Sequence, residues 1–145
     1  MSPPRIRAMC RDDAGAVANL ATQLGYPSSE EQLVERIARV VGREDAAALV
    51  ADDAESVVAW IHVELRLTLV TDQGAQVMAL VVDERCRGRG IGAALMAEAE
   101  RWARERGANT LRVGSRTSRT AARRFYERAG YRLTKTSNWF EKQLA

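Results

Sequence analysis

Ala79-Leu80-Val81-Val82-Asp83-Glu84-Arg85-Cys86-Arg87-Gly88-Arg89-Gly90-Ile91-Gly92 decides how this chain is to be read. An apolar run gives way to a basic, glycine-rich turn, and Ile91, Leu95, Ala99 and Trp102 then recur at helical spacing. The stretch therefore predicts a strand, a turn and the start of a helix. The first amides of a helix have no partner within it and point outward. The helix dipole adds about half a positive charge at the same place. Glycines let the backbone take positive φ and let a ligand come close. Such a turn is a cradle for an oxyanion and suits a pyrophosphate, with Arg85, Arg87 and Arg89 as mobile positive charge beside it. A Walker A loop is excluded, because no Gly-Lys-Ser/Thr closes the turn, and the dinucleotide-binding spacing is matched only loosely, because Ala93 stands where a third glycine is wanted. A glycine-rich turn with no ligand is the alternative. The nearly continuous apolar residues 77–82 predict a strand buried on both faces.

Outward from this stretch the period changes twice. On the N-terminal side, residues 57–65 and 47–51 read as a hairpin around Asp52-Asp53-Ala54-Glu55. Before the hairpin come two amphipathic helices. One is capped by Asp12 or Asp13 and carries Val17, Leu20, Ala21 and Leu24 on one face. The other starts at Ser28, which has capping-box spacing to Glu31, and buries Leu33, Val34, Ile37 and Val40. Residues 5–9 read as a first strand. On the C-terminal side, the glycine turn's helix stops at Gly107, a strand follows over 110–114, a short helix over 120–128 ends at Gly130, and residues 131–142 supply one or two last strands. The order β-α-α-β-β-β-α-β-α-β predicts a mixed α/β (α+β) fold with a mostly antiparallel central sheet and about four helices, in one domain over residues 1–145.

The 145 residues are 46% hydrophobic and 28% charged, which excludes disordered and collagen-like classes. No apolar run reaches the roughly 20 residues of a membrane helix, and residues 1–5 lack a signal-like apolar stretch. Two cysteines are too few for a disulfide scaffold or a cysteine-built zinc site. A cytoplasmic protein without metal or membrane partner is expected. Residues 85–132 hold 13 arginines and 4 glutamates, net +9, in a chain whose whole net charge is +3. This asymmetry points the second half at an anion, although arginine-rich composition and solvated helix faces account for part of it. Nucleic-acid binding is a third reading; it would call for exposed aromatics interleaved with the basic residues, and Phe125 and Tyr126 are better explained by the later helix.

Two blocks resemble the GNAT superfamily of acyl-CoA N-acyltransferases. Arg87-Gly88-Arg89-Gly90-Ile91-Gly92 matches its Gln/Arg-x-x-Gly-x-Gly/Ala signature, between Leu80-Val81-Val82 and Ala93-Ala94-Leu95-Met96. Phe125-Tyr126-Glu127-Arg128-Ala129-Gly130-Tyr131 is similar to the family's later helix, which ends in Phe-Tyr-x-x-x-Gly-Phe/Tyr. The order of elements agrees over nearly the whole chain. The resemblance implies an N-acetyltransferase that uses acetyl-CoA as co-substrate. It gives backbone amides of Gly88, Arg89, Gly90, Ile91, Gly92 and Ala93, with the Arg87 side chain, to the pyrophosphate. It gives backbone groups of Leu80, Val81 and Val82 to the pantetheine arm, in a V-shaped splay between two parallel strands. Tyr126 would protonate the departing thiolate, as a phenol can when its acidity is close to a thiol's; the alternative is a core aromatic. Where many members carry asparagine this chain has Arg119, which with Ser115 matches a Ser-x-x-x-Arg variant and so reaches CoA.

A general base is not fixed by the resemblance. Some members use a glutamate at the position of Met78, which cannot act as a base. Glu64 is the best carboxylate, His62 shares its sheet face by alternation, and a water relay is equally open. Trp60 falls on the same face, as the floor of an acceptor pocket or as core. Cys86 has no evident histidine partner for covalent catalysis. The acceptor is a primary amine of a small molecule or protein, and acidic Glu30, Glu31, Glu35, Asp52 and Asp53 suit a cationic one. A non-catalytic CoA-binding or sensor module is the competing function. The aromatic Trp139-Phe140, and the family's habit of pairing late strands, suggest a homodimer.

Overall fold

A five-stranded sheet, in the order β1-β2-β3-β4-β5, organises the first 114 residues. The computed structural model describes residues 3–116 and 118–145; Met1 and Ser2, part of the N-terminus read above as non-secretory, lie outside the described residues, as does Thr117. Strands β1 (Arg5–Ala8), β2 (Ala46–Asp52), β3 (Val57–Arg66) and β4 (Gly74–Val82) pair antiparallel in turn, and β5 (Leu111–Val113) joins β4 in parallel. Helices α1 (Ala14–Leu24), α2 (Glu30–Val41) and α3 (Ile91–Glu105) complete this unit, and α4 (Thr120–Arg128) lies in a second compact unit of residues 115–145. The mixed, mostly antiparallel sheet with four helices is the fold class that the sequence predicts.

Alternation along β3 divides the core into two layers. Trp60 joins Val17, Leu20, Leu33 and Ile37 in one apolar cluster, so this face is covered by α1 and α2. The opposite face carries Ala59, Ile61 and Val63, all fully buried, and is left to α3, which packs on β3 and β4. Helix α3 buries Ile91, Leu95, Met96, Ala99 and Ala103. Trp102, expected on that stripe, stands at its flank with the Arg106 guanidinium 4.6 Å over its ring, a cation–π arrangement that leaves the indole half covered. Each valine, leucine, isoleucine or methionine side chain so buried is worth about 1.5–3 kcal/mol relative to exposure. At the sheet's outer edge, Arg7 of β1 donates to both carboxylate oxygens of the buried Asp13, at 2.9 and 3.0 Å, and to Asp52 of β2, at 3.1 and 3.2 Å.

Three expectations are corrected. The cap of α2 is Ser29, one residue later than Ser28: Ser29 Oγ accepts the Gln32 amide at 3.1 Å and Gln32 Oε1 accepts the Ser29 amide at 2.9 Å. Ser28 instead donates to the Tyr26 carbonyl at 2.9 Å. Strand β4 is not buried on both faces: Val77 and Val81 are buried, Leu80 and Val82 half-buried, and Met78 is 48% exposed. Residues 131–142 form no strand among the described residues. Leu133, Trp139 and Phe140 are exposed, and a segment of strand-like composition needs an edge to pair with before it forms a ladder.

Candidate active site

Strand β4 changes character halfway along. From Ala75 to Val77 it is paired on both sides, with β3 and with Leu111–Val113 of β5. Beyond Val77, among the described residues, only β3 pairs with it. The register with β3 also slips there: His62 pairs Ala79 while Val63 pairs Val77, so Met78 is the extra residue of a bulge. A bulge bends its strand and ends regular pairing. The backbone edge of Leu80, Val81 and Val82 therefore runs open toward the glycine turn, as the expected splay requires.

The turn is built by conformation rather than by packing. Gly88 and Gly90 have φ of +82° and +79°, and a Cβ on either would meet nothing within 4 Å. An L-residue there costs about 1–2 kcal/mol of backbone strain, so glycine is required by φ and not by space. Gly90 is also the N-cap of α3, and Ile91 and Gly92 behind it are buried. The amides of the first turn of α3, Ala93 included, have no carbonyl four residues back inside the helix. The positive-φ turn and the helix N-terminus expected over Gly88 to Ala93 thus stand together at the end of the open edge.

Its approach is pinned by polar contacts. Asp83, at the end of β4, is buried; its amide donates to the Val58 carbonyl at 2.8 Å and its carbonyl accepts the Cys86 amide at 2.8 Å. The Arg85 guanidinium, the Arg85 amide and Gln23 hold its carboxyl below the usual carboxylate range. Arg85 pairs with Asp83 at 3.0 Å while its side chain stays largely exposed. Arg87 Nε lies 3.4 Å from the Val82 carbonyl, and the Arg89 charge is felt by Asp53. Gln23 of α1 accepts the Glu84 amide at 3.0 Å. Sequence reading missed Gln23, since a glutamine on an amphipathic helix carries no signal of its own.

On the α1/α2 face of β3, His62 Nε2 stands 2.9 Å from Glu64 Oε2, outside hydrogen-bond alignment. Arg43 reaches Glu64 at 3.1 Å and Asp45 at 2.9 Å. Burial pushes the His62 imidazole below its ordinary 6.5, against the smaller upward pull of Glu64, and so keeps it neutral near pH 7. Trp60 is part of the core, with its Nε1 buried and unpartnered among the described residues. Among the described residues no group of three or more His, Cys, Asp or Glu could hold a metal ion, and no helix is long and apolar enough to cross a membrane.

In the second unit, Tyr126 lies on α4, half-buried, with edge-to-face contacts to Phe125 at 5.1 Å and Tyr131 at 6.3 Å. Burial raises its phenol above the ordinary 10, which keeps the proton on oxygen at neutral pH. Arg119 is the residue before α4, and its amide donates to the Arg116 carbonyl at 2.9 Å.

A sequence profile described as the acetyltransferase (GNAT) family matches residues 15–131. The chain belongs to the GNAT family. It is an acyltransferase with acetyl-CoA as co-substrate. It is 26% identical over 147 residues to an aminoglycoside N(6')-acetyltransferase type 1 of Stenotrophomonas maltophilia, covering 99% of this chain and 95% of that protein. Among solved structures it superimposes on an aminoglycoside N-acetyltransferase, AAC(6')-Iy in complex with CoA, with TM-score 0.88, 16% identity and coverage of 99% and 97%. A Bacillus halodurans protein titled a transcriptional regulator is similar too, with TM-score 0.85, 21% identity and coverage of 96% and 99%. At these identities the structural likeness speaks for the fold.

Proposed function

We propose that this GNAT protein is a cytoplasmic N-acetyltransferase, one domain over residues 1–145, that moves an acetyl group directly from acetyl-CoA to a primary amine. The observation that carries the reading is the open edge of β4 leading into a helix N-terminus whose turn is held at positive φ by Gly88 and Gly90. When bound, acetyl-CoA supplies the acetyl group as an activated thioester. Amides of Gly88 to Ala93 hold the pyrophosphate with Arg87 and Arg89, and Arg119 adds a further contact. Backbone groups of Leu80, Val81 and Val82 take the pantetheine arm and aim it along the strand. Ala79, opposite His62, is three residues from Val82, about 10 Å at strand rise. On this reading Glu64 or His62, or a water relay with no single base, takes the ammonium proton. Tyr126 gives its proton to the departing sulfur.

An aminoglycoside amine is the first acceptor to test, because two of the three relatives above carry that activity in their names. The acidic residues expected to attract a cationic acceptor argue less strongly than their number suggests. Glu35 pairs with Arg39 and Asp52 with Arg7, while Glu30 lies against Gly15. A primary amine on another small molecule or a protein follows the same chemistry. The second reading, a CoA-binding sensor without catalysis, draws on Met78 at the bulge, which offers no base, and on Arg43 engaging Glu64. We also propose a homodimer formed through residues 131–145, whose Trp139 and Phe140 are exposed; a monomer mass by light scattering would remove it.

Calorimetric titration of CoA and acetyl-CoA into the wild type and Gly90→Glu tests the reading without knowledge of the acceptor. Binding that Gly90→Glu abolishes is expected. No binding by the wild type would overturn the reading and return the basic half to other anions, with a salt-sensitive gel shift as the test for nucleic acid. Binding without CoA release across an amine library would favour the sensor.

A further inference from the structure

Among the described residues, packing does not place the two positive-φ glycines of the cradle. Nothing packs within 4 Å of a Cβ position at Gly88 or Gly90, so its place is set by its two ends. The far end is anchored where Ile91 and Gly92 enter the core. The near end is anchored at Asp83 and Glu84. Asp83 is tied to Val58, Arg85 and Cys86, and its carboxyl also interacts with the Gln23 side chain. The Glu84 amide has Gln23 Oε1 as its acceptor, at 3.0 Å, on a helix 61 residues earlier in the chain. Gln23 is half-buried, and its Nε2 stands 3.5 Å from Asn19 Oδ1, one helical turn back. One carboxamide thus joins α1, on one face of the sheet, to the start of the loop that leads into α3 on the other.

We propose that Gln23 is a positioning residue for the phosphate cradle: by holding the Glu84 amide it fixes the near end of the turn, and so sets where the cradle amides point when CoA binds. The inference rests on the CoA reading above. It predicts that losing this bond costs affinity for every ligand that carries the pyrophosphate, and leaves the helix that bears Gln23 intact.

Gln23→Met keeps length and helix propensity and removes the acceptor. Calorimetry should show the dissociation constants of CoA and of dephospho-CoA rising by the same factor, about fivefold, as expected for one hydrogen bond. Hydrogen exchange should quicken at the amides of residues 84–92 and stay unchanged over residues 14–24, with Tm within about 2 °C of the wild type. Wild-type CoA affinity in the variant overturns the inference alone. Faster exchange along α1 with a fall in Tm also overturns it, by reducing Gln23 to a helix-stabilising residue. Absence of CoA binding by the wild type overturns the CoA reading, and this inference with it.

Discussion

The two halves of β4 both read as strand in sequence and differ in pairing and exposure. Ala75–Val77 has a strand on each side, and Val77 is 3% exposed. Met78 to Val82 has a strand on one side only among the described residues and begins with a bulged, exposed methionine. The first half is held on both sides; the second leaves one backbone edge without a strand partner among the described residues. Apolar composition reports that a strand meets a core. It does not report whether the strand's edge is taken.

Substitutions can separate the halves. The largest effect is expected at the end of the open half: Gly90→Glu should weaken CoA binding more than about 100-fold while lowering stability by only the roughly 1–2 kcal/mol of a strained φ. A large fall in Tm without loss of CoA would break the distinction. Tyr126→Phe should lower kcat about 100-fold, at the lower end for proton transfer by a positioned group, and leave KM for acetyl-CoA within about twofold. Unchanged kcat would reduce the tyrosine to a packing role. In the closed half, Val77→Ala should cost about 2 kcal/mol, seen as a Tm lower by roughly 5–10 °C, with CoA affinity unchanged. At the junction, Met78→Ala should change stability by less than about 0.5 kcal/mol, as exposed substitutions do.

His62, opposite Ala79 in the open half, adds a dependence on pH. Its folded pKa lies below the ordinary 6.5 because of burial, so the unfolded chain takes up a proton first as pH falls. Stability should then decline from about pH 6.5 down to the folded value and level off below it. His62→Gln should flatten that decline in urea titrations; an identical slope in the variant would trace it to other groups.

The sequence made the helix and strand order legible because its periods are clean, from Val17 and Leu20 on α1 to Ile91 and Leu95 on α3. The conformation of the turn is legible because positive φ leaves a glycine signature. The cap of α2 was misplaced by one residue because Ser28 and Ser29 each have a carboxyl or carboxamide three positions on, in Glu31 and Gln32, and only geometry chooses. The Arg85–Asp83 pair is not legible because a basic residue beside a glycine turn gives no sign of which carboxylate it meets. The bulge at Met78 and the Gln23 contact depend on registers and distances between remote segments, which no local pattern encodes. Strands over 131–142 were expected from composition alone, and composition does not supply a partner.

Arg7, held between Asp13 and Asp52, has a consequence for how the molecule comes apart. Strand β1 is four residues long and lies at the sheet's edge. Arg7 first, and then the Cys10 amide, hold the Asp13 carboxyl below its ordinary 3.8. That stabilisation is complete above pH 3.8 and disappears as acid drives the pH through the folded value. Acidification should therefore unzip the N-terminus first, releasing β1 from β2 while the Ile61–Leu95 layer is still closed.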